Sequence, residues 1–236
     1  MGVGQNITAA NASWSFAGDV ADTFVDHIKV SVPLYEEGHD MVCQLSDYFV
    51  KKDSTVYEIG TSTGELLRKL AEHNKAKPEA RFIGMDVEAD MIKAAREHCS
   101  GLPNVEVYVD DIRLAEMDKA DLIVSYYTMQ FIHPRHRQDI FNKIYERLNW
   151  GGAFIMFEKV RGPDARFQDI LTQLYNDFKL RNGFSSEEIV EKTRSLKGVL
   201  EPFSTQGNLD LMSRAGFVDV MGIQRYLCFE GFLAIK

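Results

Sequence analysis

Apolar positions along the chain fall into short β-prone runs separated by stretches of helical spacing. Residues 1–8 carry neither pattern and read as a loose tail. From 16 to 49 apolar residues recur at helical intervals, at Val20, Phe24 and Ile28 and, after Pro33, at Met41, Leu45 and Phe49. This predicts two or three helices before the first strand. A strand then ends at Val56-Tyr57-Glu58-Ile59, a helix spans 65–74, Arg81-Phe82-Ile83-Gly84-Met85-Asp86 is a second strand, and a helix spans 89–99. The third strand, Val105–Val109, ends at Asp110-Asp111-Ile112. Such βαβαβ alternation predicts a parallel, doubly wound sheet. Residues 120–127 form a fourth, continuously apolar strand, and Pro134 opens a helix with Ile140, Ile144 and Leu148 on its apolar face. Asn149-Trp150-Gly151-Gly152 reads as a turn into a fifth strand, 153–157, that ends at Glu158. No strand pattern occurs over 163–205, where Ser185-Ser186-Glu187-Glu188 forms a capping box for a helix running to 196. A helix over 209–215 stops at Gly216. Two strands follow, 218–226 and 229–235, with Glu230-Gly231 near their bend, and so short a connection makes them antiparallel.

At 236 residues the chain is read as one domain, with a helical lid over 9–50 and a helical insertion over 163–205. No apolar run approaches the roughly 20 residues of a membrane helix, and the first residues lack the order of a secretory signal. A cytoplasmic protein is the expectation. Cys43, Cys99 and Cys228 lack metal-ligand spacing and read as free thiols in a reducing compartment, and no metal site is predicted. A net charge of −8 argues against a broad grip on nucleic acid and for a small-molecule substrate.

The chemistry begins at Glu58-Ile59-Gly60-Thr61-Ser62-Thr63-Gly64. Two glycines let the backbone turn sharply and approach a ligand, and the positive end of the next helix faces whatever lies over the loop. Asp86, at the end of the second strand, is placed to take both hydroxyls of a ribose. Together these point to an adenosine-bearing cofactor. The acid inside the first strand and the closing hairpin depart from the dinucleotide pattern G-x-G-x-x-G. His133 and His136, at the mouth of a helix, read as solvated residues or a substrate contact. Glu158 suits fold support or catalysis equally, and Tyr126 and Tyr127 are expected to alternate, one in the core and one at the site.

The whole pattern resembles the Rossmann-like, seven-stranded class I methyltransferases that use S-adenosylmethionine (SAM). A closer resemblance is carried by Trp14-Ser15-Phe16, Ser31-Val32-Pro33-Leu34-Tyr35, Thr128-Met129-Gln130-Phe131, Lys143-Ile144-Tyr145, Leu148-Asn149-Trp150-Gly151-Gly152, Glu158-Lys159 and Lys192-Thr193-Arg194-Ser195. These stretches are similar to the carboxy-SAM synthases of the tRNA wobble-uridine oxyacetate pathway. That resemblance implies that SAM or carboxy-SAM is bound and that carbon dioxide released from prephenate is joined to the SAM methyl carbon. It implies that Glu58 and Gly60 hold the methionine end, Asp86 the ribose, and Asp111 with Ile112 the adenine. Thr61, Ser62, Gly64, Val87 and Met91 complete the cofactor set. Tyr35 faces the cofactor from the lid, and Arg194 pairs with the new carboxylate, so Tyr35, Tyr126 and Arg194 are the candidate catalytic residues. No direct nucleic-acid contact is implied, and a homodimer is left open. The chain departs from the family at Thr61, where a cysteine is usual, and at Val87 and Tyr126, where asparagines are. Tyr126 would narrow the acceptor side. Three functions stay in play: an enzyme that makes or uses carboxy-SAM, a conventional small-molecule methyltransferase, and a non-catalytic SAM-binding subunit.

Overall fold

Residues 28–236 are described in a computed structural model of the chain. The lid residues before 28, including Trp14-Ser15-Phe16, Val20 and Phe24, lie outside the described residues. Seven strands form one sheet: β1 Thr55–Ile59, β2 Arg81–Asp86, β3 Val105–Val109, β4 Ala120–Tyr126, β5 Leu148–Lys159, β6 Asp219–Tyr226 and β7 Phe229–Ile235. Their order is β3-β2-β1-β4-β5-β7-β6, with the first five strands parallel and β7 antiparallel to both neighbours. This is the Rossmann-like class I methyltransferase sheet. The order reverses between β1 and β4, so the crevice at their carboxyl ends is where a ligand enters.

Side chains alternate across the sheet, as a two-residue period requires. Val56, Phe82, Leu122, Val124 and Ile155 pack on one face with Val42 and Cys43 of α1 (Tyr35–Phe49) and Leu66, Leu67 and Leu70 of α2 (Glu65–His73). Ile92 and Ala95 of α3 (Ala89–His98) extend that layer. Tyr57, Ile83, Ile123 and Phe154 pack on the other with Ile140, Phe141 and Ile144 of α4 (Pro134–Arg147) and Leu211 and Met212 of α7 (Thr205–Ala215). Between β5 and α7 come two helices, α5 (Ala165–Arg181) and α6 (Ser186–Ser195), the second started by the capping box of Ser185 and Glu188. Among the described residues no helix is long and apolar enough to cross a membrane.

The backbone departs from the sequence expectation in five places. Asn149-Trp150-Gly151-Gly152 lies within β5, because the Gly151 N–H donates to the Lys236 carbonyl (2.8 Å) and the Lys236 N–H to that of Gly152 (3.0 Å). The bend between β6 and β7 falls at Leu227 and Cys228, with Leu227 at φ 52°, and Glu230 and Gly231 are buried inside β7. Helix α7 starts at Thr205, earlier than apolar spacing showed, because the Ser204 hydroxyl accepts the Gly207 N–H. On α1 the fully buried positions are Gly38, His39, Val42, Cys43 and Ser46, with Met41, Leu45 and Phe49 only partly covered beside them. Finally, β4 stops at Tyr126 and Tyr127 turns to φ 57°, so both tyrosine rings join one cluster, 4.8 Å apart.

One buried cation ties these parts together. Arg137, 1% exposed, donates to the carbonyls of Ile132 (2.8 Å), Gln130 (3.3 Å) and Glu201 (2.7 Å), and its guanidinium lies over Phe203. It thus joins the loop after β4 to the segment that returns from α6. Arg137→Met keeps the bulk and strips the Ile132 and Glu201 carbonyls of this donor, while the Gln130 carbonyl keeps the Glu201 N–H (2.9 Å). The expected loss is about 3 kcal/mol of unfolding free energy, measured by urea denaturation; an unchanged midpoint would contradict this.

Candidate functional site

A cavity of about 910 Å³ opens at the carboxyl ends of the parallel strands. Its first end is built by the loop after β1. Gly60 and Thr61 both donate their N–H groups to the Met85 carbonyl, at 2.8 and 3.0 Å, which folds the loop against the end of β2. Gly60 sits at φ +73°, and a Cβ there would lie 2.2 Å from the Thr128 hydroxyl oxygen, so neither conformation nor space admits another residue. Ser62 also takes a left-handed conformation, which aims its N–H at Asp86 Oδ2 (3.0 Å). The other Asp86 oxygen accepts the Glu88 N–H (3.0 Å), and burial raises the pKa of the carboxyl. Beneath the loop Glu58 is 3% exposed and accepts the Thr61 hydroxyl proton at 2.6 Å. Burial pushes its carboxyl up to about 8.

Tyr35, the first residue of α1, leans over this end, and burial together with the nearby Glu58 raises its hydroxyl well above the ordinary range. Val87, Met91, Asp111 and Ile112 line the cavity farther out. Asp111 is held ionised by the Arg113 guanidinium, which lowers its pKa. Tyr126 lines the wall as well, and its hydroxyl donates to the Tyr35 carbonyl at 2.7 Å, tying α1 to the end of β4.

Two of the expected residues stand apart. Gly64 caps α2 at φ +80°, packed against Ala95 and Cys99, outside the cavity wall. Arg194 is also outside it: its side chain is 53% exposed and pairs with Glu191 at 2.7 Å. The helical period explains this, since Ile189, Lys192, Thr193 and Leu196 share the inward face of α6 and leave 191 and 194 on the outward one. His133 stands at the rim with its Nδ1 accepting the Arg135 N–H, and His136 contacts Arg135. Glu158 is 1% exposed and packs under the turn at 129–131, outside the cavity wall.

The sequence reading overlooked the second end of the cavity. Lys159, Lys179 and Lys192 line it together. The ammonium groups of Lys159 and Lys179 lie 4.4 and 4.6 Å from the centre of the Tyr175 ring, and Lys192 Nζ donates to the Ser31 hydroxyl at 3.2 Å. Burial first, then mutual repulsion, pulls Lys179 down to about 8 and Lys192 to about 7. Lys159 stood in a signal that was legible, a charge at the carboxyl end of a parallel strand; Lys179 and Lys192 sit in helices where a solvated face is the ordinary reading. His39 was missed too. It lines the cavity at 1% exposure, has no hydrogen-bond partner on either ring nitrogen among the described residues, and burial keeps it neutral, with its pKa down to about 3.

Known proteins resemble this chain in sequence and in fold. A methyltransferase-domain family profile matches residues 56–152, the glycine loop through β5. The carboxy-S-adenosyl-L-methionine synthase of Staphylococcus epidermidis is 35% identical over 94% of this chain and 97% of its own. The chain belongs to the carboxy-SAM synthase family. The Campylobacter lari synthase is 32% identical over 94% of each chain. Among solved structures, human N-acetylserotonin methyltransferase in complex with SAM superposes with a TM-score of 0.60 at 16% identity, covering 86% of this chain and 52% of that one. The putative methyltransferase solved with the Haloferax volcanii Trm112 activator reaches 0.63 at 14% identity, covering 92% and 97%. These two share the fold. As a member of the carboxy-SAM synthase family, the chain is a SAM-dependent transferase whose cofactor is SAM or carboxy-SAM.

With the cofactor seated against Glu58, as proposed below, binding is expected to be pH-dependent with a definite sign. In the free protein its carboxyl is mostly protonated at pH 7. A sulfonium and an ammonium placed nearby stabilise the carboxylate, so SAM binding releases up to about one proton below pH 8 and affinity rises with pH, by at most about tenfold per unit. Calorimetry in buffers of differing ionisation enthalpy measures that proton, and Glu58→Gln should abolish its release.

Proposed function

We propose that the chain forms carboxy-SAM from SAM and an anionic small-molecule donor: the donor loses carbon dioxide and expels a hydroxide, the SAM methyl gives one proton to that hydroxide to make water, and the methyl carbon bonds the carbon dioxide. The observation that carries this reading is the opposed chemistry of the two cavity ends, carboxyl groups at Glu58, Asp86 and Asp111 and amino groups at Lys159, Lys179 and Lys192. A cationic cofactor belongs at the first end and a multiply charged anion at the second. Prephenate, the donor that the sequence resemblance implies, carries two carboxylates. An ordinary methyl acceptor gives three lysines no reason to converge.

The cavity residues fit SAM. Glu58 with the Gly60, Thr61 and Ser62 loop suits the charged methionine end, and Asp86 has acceptor positions beyond its two backbone N–H partners for a ribose. Val87, Met91 and Ile112 offer the apolar contact an adenine needs, with Asp111 at its edge. Bound there, SAM supplies an activated one-carbon group on a positive sulfur. The protein's share is positioning and exclusion of water: Tyr35 and Tyr126 close one side, and α5 and α6 act as the cover of the other, with the Tyr175 hydroxyl anchored on the Ser31 carbonyl at 2.8 Å. Arg194, on the outward face, has no part in this scheme.

The finer setting goes with the same reading: a cytoplasmic enzyme that does not itself grip nucleic acid, given its charge of −8. It works as a homodimer, for which Phe167, Ile170 and Leu174 on one face of α5 offer an apolar stripe, each 44–50% exposed. Sedimentation velocity should return twice the chain mass, and a monomer would contradict the assignment.

Incubation with SAM and prephenate, followed by mass spectrometry, tests the reaction. Carboxy-SAM is the expected product. Methylated material with no carboxy-SAM would favour the conventional methyltransferase. Lys179→Met should raise KM for the anionic donor about tenfold or more, the loss of one charge-assisted contact, while leaving SAM affinity in calorimetry unchanged.

A further inference from the structure

The basic end of the cavity brings lysines together without an acid to match them. Lys159 of β5, Lys179 of α5 and Lys192 of α6 all line it. Lys179 is 5% exposed, and its nitrogen shares the Tyr175 ring with that of Lys159, at 4.6 and 4.4 Å from the ring centre. Among the described residues no carboxylate acts on Lys159 or Lys179; the acid group that bears on both is the Cys228 thiol at the bend between β6 and β7, and burial keeps that thiol protonated. The Tyr175 hydroxyl is no counter-charge either, since it donates to the Ser31 carbonyl at 2.8 Å.

Buried ammonium groups without an anion are costly, and a protein relieves them by shedding a proton or by holding a negative group. Burial first, then repulsion from Lys159, brings Lys179 down to about 8, so part of its amine is unprotonated and nucleophilic near neutral pH. Lys179 is also the middle member of the cluster. It lies beside Lys159, and it acts on Lys192 more strongly than Lys159 does. Lys192 itself is engaged at the Ser31 hydroxyl (3.2 Å). A negative charge built on Lys179 therefore has a cation on each side.

We propose that carbon dioxide adds to the Lys179 amine as a carbamate lying between Lys159 and Lys192, so that the resting protein carries an anion of its own at this end. The unprotonated nitrogen attacks the carbon, an N–C bond forms while one C–O π bond opens to a carboxylate, and the nitrogen passes one proton to water. Dissolved carbon dioxide is the source, the step is reversible, and no oxidant or reductant takes part. One cation is exchanged for one anion, which two ammonium groups then face. The site itself does not depend on the donor reading above. Its regulatory consequence rests on that reading: the carbamate occupies the place of a donor carboxylate, so carbon dioxide holds the donor off.

Equilibration of the whole chain with carbon-13-labelled bicarbonate at about pH 8, ethylation with a trialkyloxonium salt to fix any carbamate as an ester, and peptide mapping by mass spectrometry test it. At that pH about half of the Lys179 amine is unprotonated, against well under a hundredth of an ordinary lysine, so label on Lys179 should exceed that on the exposed Lys52 by about tenfold or more. Wild type alone carries this comparison, and no variant has to fold for it. Label on Lys179 equal to that on Lys52, or absent, would overturn the proposal. In Lys192→Met, which lacks one flanking cation, the label should fall several-fold, and an unchanged level would overturn the placement between the two lysines. Excess prephenate should displace the label from wild type. Label that persists under prephenate would uphold the carbamate and count against the donor reading instead.

Discussion

The closing of the Gly60 loop onto the Met85 carbonyl is the constraint from which the rest of the site follows. Two consecutive N–H groups on one acceptor pull the end of β1 against the end of β2, and only a glycine at φ +73° clears Thr128 while doing so. That closure buries Glu58 under Thr61, brings the Ser62 N–H onto Asp86, and starts α2 at Gly64. Three consequences thus come from one turn. None of them needs a contact outside β1, β2 and the helix that follows, which is why this end of the cavity is legible in a short stretch of sequence.

The two ends of the cavity are both held in states that a ligand would relieve. Glu58 is kept mostly protonated by loss of solvent, and Lys179 and Lys192 are pulled down by burial and by neighbouring ammonium groups. Removing charged groups from water is costly. The two ends thus differ in chemistry, carboxyl at one and amino at the other, and under the proposed function a cationic cofactor and an anionic donor bound side by side would restore the ordinary charge state of each.

The individual strands, the parallel core and the closing hairpin were readable because the elements behind them each show a two-residue or helical period or a short connection. Several of the misreadings depended on a partner far along the chain. Gly151 and Gly152 look like a turn until the carboxyl-terminal Lys236 pairs with them. Tyr126 and Tyr127 look like alternating strand residues until Phe157 and Gln130 hold the second in a left-handed turn. Arg194 was chosen from a four-residue match, and a match of that length fixes no helical phase: one residue away Thr193 lines the cavity, and Arg194 does not. Lys179 and Lys192 come from two different helices and meet Lys159 of β5, so their convergence exists only in three dimensions.

Tyr126 shows how a departure from the family can be absorbed without loss of the site. A tyrosine there is far larger than an asparagine, and the room for it is made by Gly38 of α1, where a Cβ would lie 2.1 Å from the Tyr126 hydroxyl. The hydroxyl then binds the Tyr35 carbonyl one turn earlier on the same helix. The added bulk therefore goes into fastening α1 to the sheet, in contact with His39 (4.7 Å) and Phe157 (4.7 Å), and contributes one face of an aromatic wall. Two changes that look independent in sequence, a glycine within a helix and a tyrosine at a strand end, are one packing solution.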